Sequence, residues 1–347
     1  MSIVRSLLLG LALCTFEARN KPHIRYRFRQ NASMENPLPL PASDRRQIWR
    51  GILFSNLLAA LVFALIVVGR NVGFSAVNQL TAVTFLLLPL VMGLICAWFW
   101  KDTNLRFLGR LGWTTVNTLI ALALSAVVAK EGVICLLIVS PLIIACMLTG
   151  VLLGIPLFRR QNNRLNASLA GFLFLLFLND VLSRHAFETQ VGDTVLIKAP
   201  PAVVWRYVAA YEPITERPDF WLFRIGMPRP VNSTVDGYHR GAGRKCNFSN
   251  GYAFEEVMTV YAPGKELEFV ITWQPRDPEI MGHLDVLKGQ FLLADNGDGT
   301  TTLTGNSWYR LYVFPAWYYN LWAESITRNV HLEVMEQIRR LSEQAAR

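Results

Sequence analysis

Apolar positions along this chain fall into two regimes. Up to about residue 182 they come in long unbroken runs, and beyond it they come in short segments of strand or helix period. Residues 51–69 (GILFSNLLAALVFALIVVG) and 80–100 (LTAVTFLLLPLVMGLICAWFW) are each long enough, at about 1.5 Å rise per helical residue, to cross a ~30 Å hydrocarbon layer. The run from Trp113 to Phe158 is too long for one crossing, and Lys130-Glu131-Gly132 interrupts it with two charges and a turn residue. The pattern therefore predicts two spans, 113–129 and 133–157. A shorter run, 167–182 (ASLAGFLFLLFLNDVL), ends in Asn179-Asp180. It reads as a fifth span or as an interfacial helix.

In the second regime, residues 193–198 (DTVLIK) predict a strand that runs directly into a helix entered through Pro200 and Pro201, since proline is tolerated in a first helical turn. A loop rich in Pro and aromatics (211–230) follows. Further strands are expected at about 233–240, 243–249, 253–261, 266–273, 286–294 and 300–312. The alternation Leu267, Phe269, Ile271, Trp273 marks a half-buried strand. Asn296-Gly-Asp298-Gly supplies positive-φ residues for a tight hairpin. After Pro315, Tyr318, Trp322, Ile326, Val330, Val334, Ile338 and Leu341 recur at helical spacing, as on a long amphipathic helix that covers a sheet.

Charge sharpens the division. Up to Leu182 there are 17 Lys and Arg against 6 Asp and Glu, and after it 17 against 19, so the whole basic excess belongs to the apolar half. The second half therefore lacks the basic face that nucleic-acid binding needs, despite a sequence pI near 9.5. Basic residues cluster at alternate loops: Arg45, Arg46 and Arg50 before the first span, Lys101, Arg106 and Arg110 after the second, and Arg159, Arg160 and Arg164 after the fourth. The intervening loops carry only Arg70 and Lys130. Basic loops stay cytoplasmic, so the N-terminus is expected inside and, with five crossings, the C-terminal region outside the cytoplasm.

The apolar stretch Leu7–Leu13 after Arg5 lacks a convincing small-residue cleavage site, so residues 1–48 read as a basic, disordered leader, or the start is placed too early and Met34 is the working start. Asn56, Asn117 and Asp180 lie in or beside the spans without pump-like spacing, and helix–helix hydrogen bonding accounts for them. Cys14, Cys96, Cys135, Cys146 and Cys246 form neither a disulfide framework nor a C-x-x-C metal spacing.

The order strand, short helices, antiparallel meander and long C-terminal helix resembles the helix-grip fold of the START-like, or SRPBCC, superfamily of polyketide cyclases/dehydrases and lipid-transport proteins. The resemblance covers about 190–345. It rests on V-L-I-K-A-P-P-A-V-V-W (195–205), G-R-K-C-N-F-S-N-G (243–251), the Asp298-Gly-Thr-Thr turn and P-A-W-Y-Y-N-L-W (315–322). The second and fourth marks look like a subgroup of bacterial membrane-anchored members. The expected architecture is thus an all-α transmembrane bundle of about five helices (49–182) followed by an α+β helix-grip domain (190–345) in a bacterial inner membrane. What the resemblance implies further is a cavity between the curved sheet and the last helix, used in relatives for hydrophobic molecules. It implies no reaction.

No nucleophile elbow, phosphate loop, dinucleotide fingerprint or zinc-protease motif occurs in the second half. No cofactor or metal is expected, and no catalytic residue is assigned. The acid–base candidates are Glu255, Glu256, His239, His283, His331, Arg244 and Arg310. Neighbours on a strand point to opposite faces, so only one of the two glutamates can face a cavity. The candidate ligand-binding set is Arg244, Glu256, Trp273, His283, Trp308 and Trp322. Trp317, Tyr318 and Tyr319 are candidates for membrane contact, because Trp and Tyr favour the headgroup level. The expected function is binding, transfer or sensing of a lipid or other hydrophobic molecule by a domain tethered to the bilayer. A cyclase- or dehydrase-like enzyme and an envelope scaffold are the alternatives.

Overall fold

The computed structural model describes residues 41–71, 83–128, 132–159, 171, 173–175, 186–275 and 283–347. Four helical segments come first: α1 (Ala42–Asn71), a π-helical turn (Val83–Leu87) leading into α2 (Leu88–Trp100), α3 (Phe107–Val128) and α4 (Val133–Arg159). Three of them hold a stretch long and apolar enough to cross a membrane, Ala42–Leu65, Phe107–Val127 and Val133–Arg159, while Thr84–Trp100 is a shorter apolar helix. Of the five expected crossings, the fifth (167–182) lies outside the described residues apart from four helical positions, as do Asp180 and the leader up to residue 40. The first helix begins at Ala42, inside the stretch expected to be leader.

Local chemistry explains the irregularities. Pro89 stands in the first turn of α2 and has no N–H to continue the ladder from the preceding turn, which is wound as a π-helix instead. Pro141 lies inside α4. The Leu137 carbonyl that its missing N–H would have served accepts the Ser140 hydroxyl at 3.0 Å. Between helices, apolar packing around Leu88, Met92 and Met147 is joined by contacts of small and polar residues. A Cβ on Gly93 or Gly150 would run into the backbone of the facing helix, at Met147 and Leu90, so glycine is what lets α2 and α4 touch. Asn56 Nδ2 on α1 donates to Asn117 Oδ1 on α3 at 2.6 Å, and Asn117 Nδ2 donates to Ser55 Oγ at 3.1 Å.

The two ends of this bundle differ. Trp100 Nε1 donates to the Ile48 carbonyl (3.2 Å), the Asn104 N–H to Asp44 Oδ2 (3.2 Å) and Arg159 Nε to the Lys101 carbonyl (2.7 Å). One end therefore gathers the start of α1, the finish of α2 and α4, and the basic residues Arg45, Arg46, Lys101 and Arg159. The opposite end, formed by the π-turn and the start of α4, meets the rest of the chain.

That rest is one antiparallel sheet and the helices on its concave face. The strands are β1 (Phe187–Ile197), β2 (Pro230–Val235), β3 (Gly243–Phe248), β4 (Ala253–Ala262), β5 (Glu266–Trp273), β6 (Leu284–Asp295) and β7 (Thr301–Leu311). They lie in the order β1-β7-β6-β5-β4-β3-β2. Two short helices, α5 (Pro201–Val208) and α6 (Trp221–Arg224), follow β1, and the thirty-residue α7 (Ala316–Ala345) closes the chain. The last helix and the expected strands are present, except that the strand expected at 233–240 lies at Pro230–Val235 and gives way to a turn from Asp236 onward. β1 starts earlier than the sequence reading because its first half carries Glu, Thr and Gln rather than an apolar alternation. The hairpin between β6 and β7 has Gly297 and Gly299 at φ 78° and 83°.

The inward series of β7 (Leu303, Gly305, Tyr309, Leu311) faces α7, and Ile197, Val204, Val208, Met258, Leu267, Met335 and Ile338 form the core between sheet and helices. A second core joins the sheet half to the bundle: Val139 packs with Val191, Tyr309, Leu311, Val313, Tyr319 and Ala323. Tyr318 Oη donates to the Ile138 carbonyl at 2.6 Å.

The α2–α4 contact yields a direct test. Gly150→Leu should lower the unfolding free energy of the detergent-solubilised protein by about 1–3 kcal/mol, the usual cost of overpacking. Gly112→Leu, where a Cβ meets nothing within 4 Å, should leave the thermal midpoint almost unchanged.

Candidate functional site

Sheet curvature leaves a space that α7 does not fill. The result is a cavity of about 210 Å³, bounded by the concave sheet face, by α7 and by the start of α4. Phe269, Ile271, Val286 and Phe291 floor it, Ala323, Ile326, Val330 and Val334 come from α7, and Ile134 and Ile138 come from α4. The volume exceeds the roughly 150 Å³ of an apolar cavity that holds benzene and falls short of the ~300–1,000 Å³ of pockets for drug-sized ligands.

One polar group is built into this lining by strand register. β3 and β4 place Arg244 opposite Glu256 and Lys245 opposite Glu255. Because successive side chains alternate, the first pair points inward and the second outward. Lys245 and Glu255 make a solvated contact at 3.5 Å with both side chains more than half exposed. Arg244 and Glu256 form a direct ion pair with each side chain only 3% exposed. Arg244 Nε also donates to the Ala209 carbonyl (2.9 Å), and its guanidinium carbon sits 4.6 Å from the Phe269 ring centroid. The ring is seated by Gly289, its partner on β6, where a Cβ would come within 2.5 Å of Phe269 Cζ.

Electrostatics follow from burial. Loss of water pushes the Glu256 carboxyl above its ordinary value, with Arg244 pulling the other way. The neighbouring Cys246 thiol is pushed up to about 12 by burial and then by Glu256, so it is an inert apolar group at neutral pH. Tyr211, whose hydroxyl lies 4.0 Å from Cys246 Sγ, is raised by burial too.

Arg244 and Glu256 thus line the cavity, whereas Trp273, His283, Trp308 and Trp322 do not. Trp273 continues the inward alternation of β5 but stands at the strand end, 53% exposed. Trp308 has the opposite parity to the inward Ser307 and Tyr309. It lies on the outer face, where Lys288 Nζ sits 4.1 Å from its ring centroid and bonds Glu268 (2.9 Å). Trp322 lies beside the lining stripe of α7 rather than on it, and the His283 ring meets Phe85 of the bundle at 6.0 Å. Arg310 bonds Glu188 at 2.8 Å on the exposed side, and His239 lies in an exposed loop. Of the aromatic trio after Pro315, Trp317 is 69% exposed, Tyr318 hydrogen-bonds α4 and Tyr319 is buried.

The sequence reading missed the apolar lining from α4 and Ser307, while His331, one of its acid–base candidates, also lines the cavity. Burial holds the His331 imidazole below its ordinary value, against the pull of Asp193. Ser307 was legible in principle as a polar residue in an inward series, once the parity of β7 is known. Among the described residues, no cluster of three or more His, Cys, Asp or Glu is arranged to hold a metal ion.

No family model matches the chain, and no curated protein matches it. Solved structures are similar to part of it. The Zhui aromatase/cyclase from Streptomyces sp. R1128 is 13% identical, with 46% of this chain and 97% of that one covered and a TM-score of 0.33. Norcoclaurine synthase from Thalictrum flavum, in complex with dopamine and hydroxybenzaldehyde, is 9% identical, with 46% and 89% covered and a TM-score of 0.32. An uncharacterised Bacillus thuringiensis protein is 10% identical, with 44% and 97% covered and a TM-score of 0.31.

The buried pair sets a second prediction. Removing one partner strands a buried charge, so Arg244→Met or Glu256→Leu alone should destabilise the protein by about 3–5 kcal/mol. The double variant should recover most of that loss in denaturant unfolding. Equal and additive losses would mean that the two charges do not depend on each other.

Proposed function

We propose that the protein is anchored in a membrane by its helical half and binds a lipid or other hydrophobic small molecule in the cavity of its sheet half. The observation that carries this reading is the composition of the cavity wall: Ile134 and Ile138, from a helix long and apolar enough to span a bilayer, line the same space as Phe269 and Arg244. A ligand there is in contact with a membrane helix. The buried Arg244–Glu256 pair supplies a polar handle for one end of an otherwise apolar guest. The sequence resemblance to the START-like superfamily is in keeping with such a cavity.

Orientation follows from charge. The basic end of the bundle carries Arg45, Arg46, Lys101 and Arg159, and the sheet half packs on the other end. With basic residues retained in the cytoplasm, the sheet half lies on the extracytoplasmic side.

Exposed apolar side chains flank the junction. Trp221 and Ile225 project beside Leu222 and Phe223, which pack on Ile134, while Trp317 and Leu321 project beside the contact of Tyr318 with α4. Immersed in the outer headgroup layer, they bring the cavity next to lipid.

Two measurements test the reading. Native mass spectrometry of the full chain after mild detergent extraction should find a co-purified hydrophobe, and Ile326→Trp, which fills the cavity, should lose it while keeping its thermal midpoint within a few degrees. A protein that carries nothing, and takes up no added fatty acid or phospholipid, would end the proposal. In vesicles of brominated phosphatidylcholine, fluorescence from Trp221 and Trp317 should be quenched and that from Trp273 and Trp308 should persist, compared through single Trp→Phe variants.

A further inference from the structure

The lining holds a second polar constellation apart from Arg244 and Glu256. Ser307 lies on β7 in a series whose other inward members are Leu303, Gly305, Tyr309 and Leu311, and its Oγ is 2.6 Å from His331 Nε2 on α7. The other ring nitrogen, Nδ1, is 3.3 Å from Asp193 Oδ2 on β1. Asp193 and His331 are both more than nine-tenths buried. Arg328, half-exposed, holds the second Asp193 oxygen at 3.0 Å. Asp193, His331 and Ser307 thus converge from three elements, and Ser307 and His331 present themselves to the cavity.

The order of contacts fixes the protons. A carboxylate can only accept, so Nδ1 carries the hydrogen and donates to Asp193, which leaves Nε2 as an acceptor for the Ser307 hydroxyl. That is the arrangement in which a hydroxyl is activated by a neighbouring base whose tautomer is held by a third group. A polar tie between helix and sheet needs only one such hydrogen bond. It does not need a hydroxyl on a cavity wall, with the free face of a neutral imidazole behind it.

We infer that Ser307, His331 and Asp193 form a nucleophilic site that cleaves an ester of a hydrophobic acid held in the cavity. The inference rests on the reading of that cavity as a hydrophobic binding site. Ser307 Oγ attacks the ester carbonyl carbon as its proton passes to His331 Nε2. The carbonyl carbon–alkoxide bond then breaks, and the leaving oxygen takes that proton from His331 and departs as the alcohol. A water molecule, deprotonated by His331, attacks the acyl-serine, and the proton returns to Ser307 Oγ as the acid is released. No electrons change hands and no co-reactant beyond water is needed. Asp193 is the positioning residue.

The test uses the full chain in detergent or nanodiscs, with a fluorophosphonate probe and a series of p-nitrophenyl esters from acetate to palmitate. The expected result is modification mapped to Ser307, hydrolysis of one or more of the esters, background rates for Ser307→Ala, and a fall of about a hundredfold or more for His331→Gln, the low end for a positioned general base. Asp193→Asn should lower kcat with little change in KM, an outcome that loss of packing alone would not give. No labelling of the folded protein, or hydrolysis equal in wild type and Ser307→Ala, overturns the inference. Native mass spectrometry on wild type and Ser307→Ala keeps the two readings apart: a hydrophobe retained by both with no labelling of the wild type ends only the esterase, and labelling of wild-type Ser307 with no hydrophobe bound to either protein ends the carrier reading.

Discussion

The cavity of the sheet half is closed on one side by the burial of the first turns of α4 against it. Ile134 packs with Leu222, Phe223 and Met227, and Val139 with Tyr309, Leu311 and Tyr319. These contacts close one side of a cavity that sheet and C-terminal helix alone would leave open. They also couple the two halves energetically, since each fully buried aliphatic side chain contributes about 1.5–3 kcal/mol. A tether that merely held the sheet half near a membrane would have no reason to share its core. The geometry has a second effect: any displacement of α4 changes the shape of the cavity wall.

Inside that wall, the Arg244–Glu256 pair is an expensive feature, because withdrawing two charges from water costs several kcal/mol per ion and the mutual attraction offsets this only with good geometry. The strand register provides the geometry without long side-chain searches. The partners stand directly opposite on β3 and β4, the Ala209 carbonyl accepts the remaining Nε–H, and Phe269 presents its ring face to the guanidinium. Phe269 in turn depends on the absence of a side chain at Gly289. A hydrophobic pair would stabilise the fold at least as well, which favours a binding role for the charges over a stabilising one.

Much of this was legible in the sequence, and the reasons are periodic. The apolar runs of three helices, the Leu267–Trp273 alternation and the Tyr318–Leu341 stripe could be read from pattern alone, whereas the run 80–100, read as a full span, forms the shorter apolar helix Thr84–Trp100 behind a π-turn. Glu255-Glu256 next to an antiparallel Arg244-Lys245 also required one glutamate to face inward. The aromatics misled for a physical reason: hydrophobicity does not fix parity. Trp308 is as apolar as Tyr309 beside it but points outward, and Trp273 has the inward parity but lies past the end of the helical cover. Pairings between distant elements, such as Ile138 with Tyr318 or Asp193 with His331, leave no local trace.

The two polar poles of the cavity then differ in what they offer a guest. Arg244 is already satisfied by Glu256 and by a carbonyl, so a ligand anion can engage it only by competing with a carboxylate that burial has made easier to protonate. Proton uptake by Glu256 would leave the guanidinium as an uncompensated cation in an apolar space, and an acidic headgroup or a free carboxylate is the natural replacement for the lost partner. At the other pole, the serine hydroxyl and neutral imidazole have no charge to trade and favour an uncharged carbonyl. A guest with an ester at one place and an acid at another would satisfy both poles together. The apolar floor of Phe269, Ile271 and Phe291 lies between them.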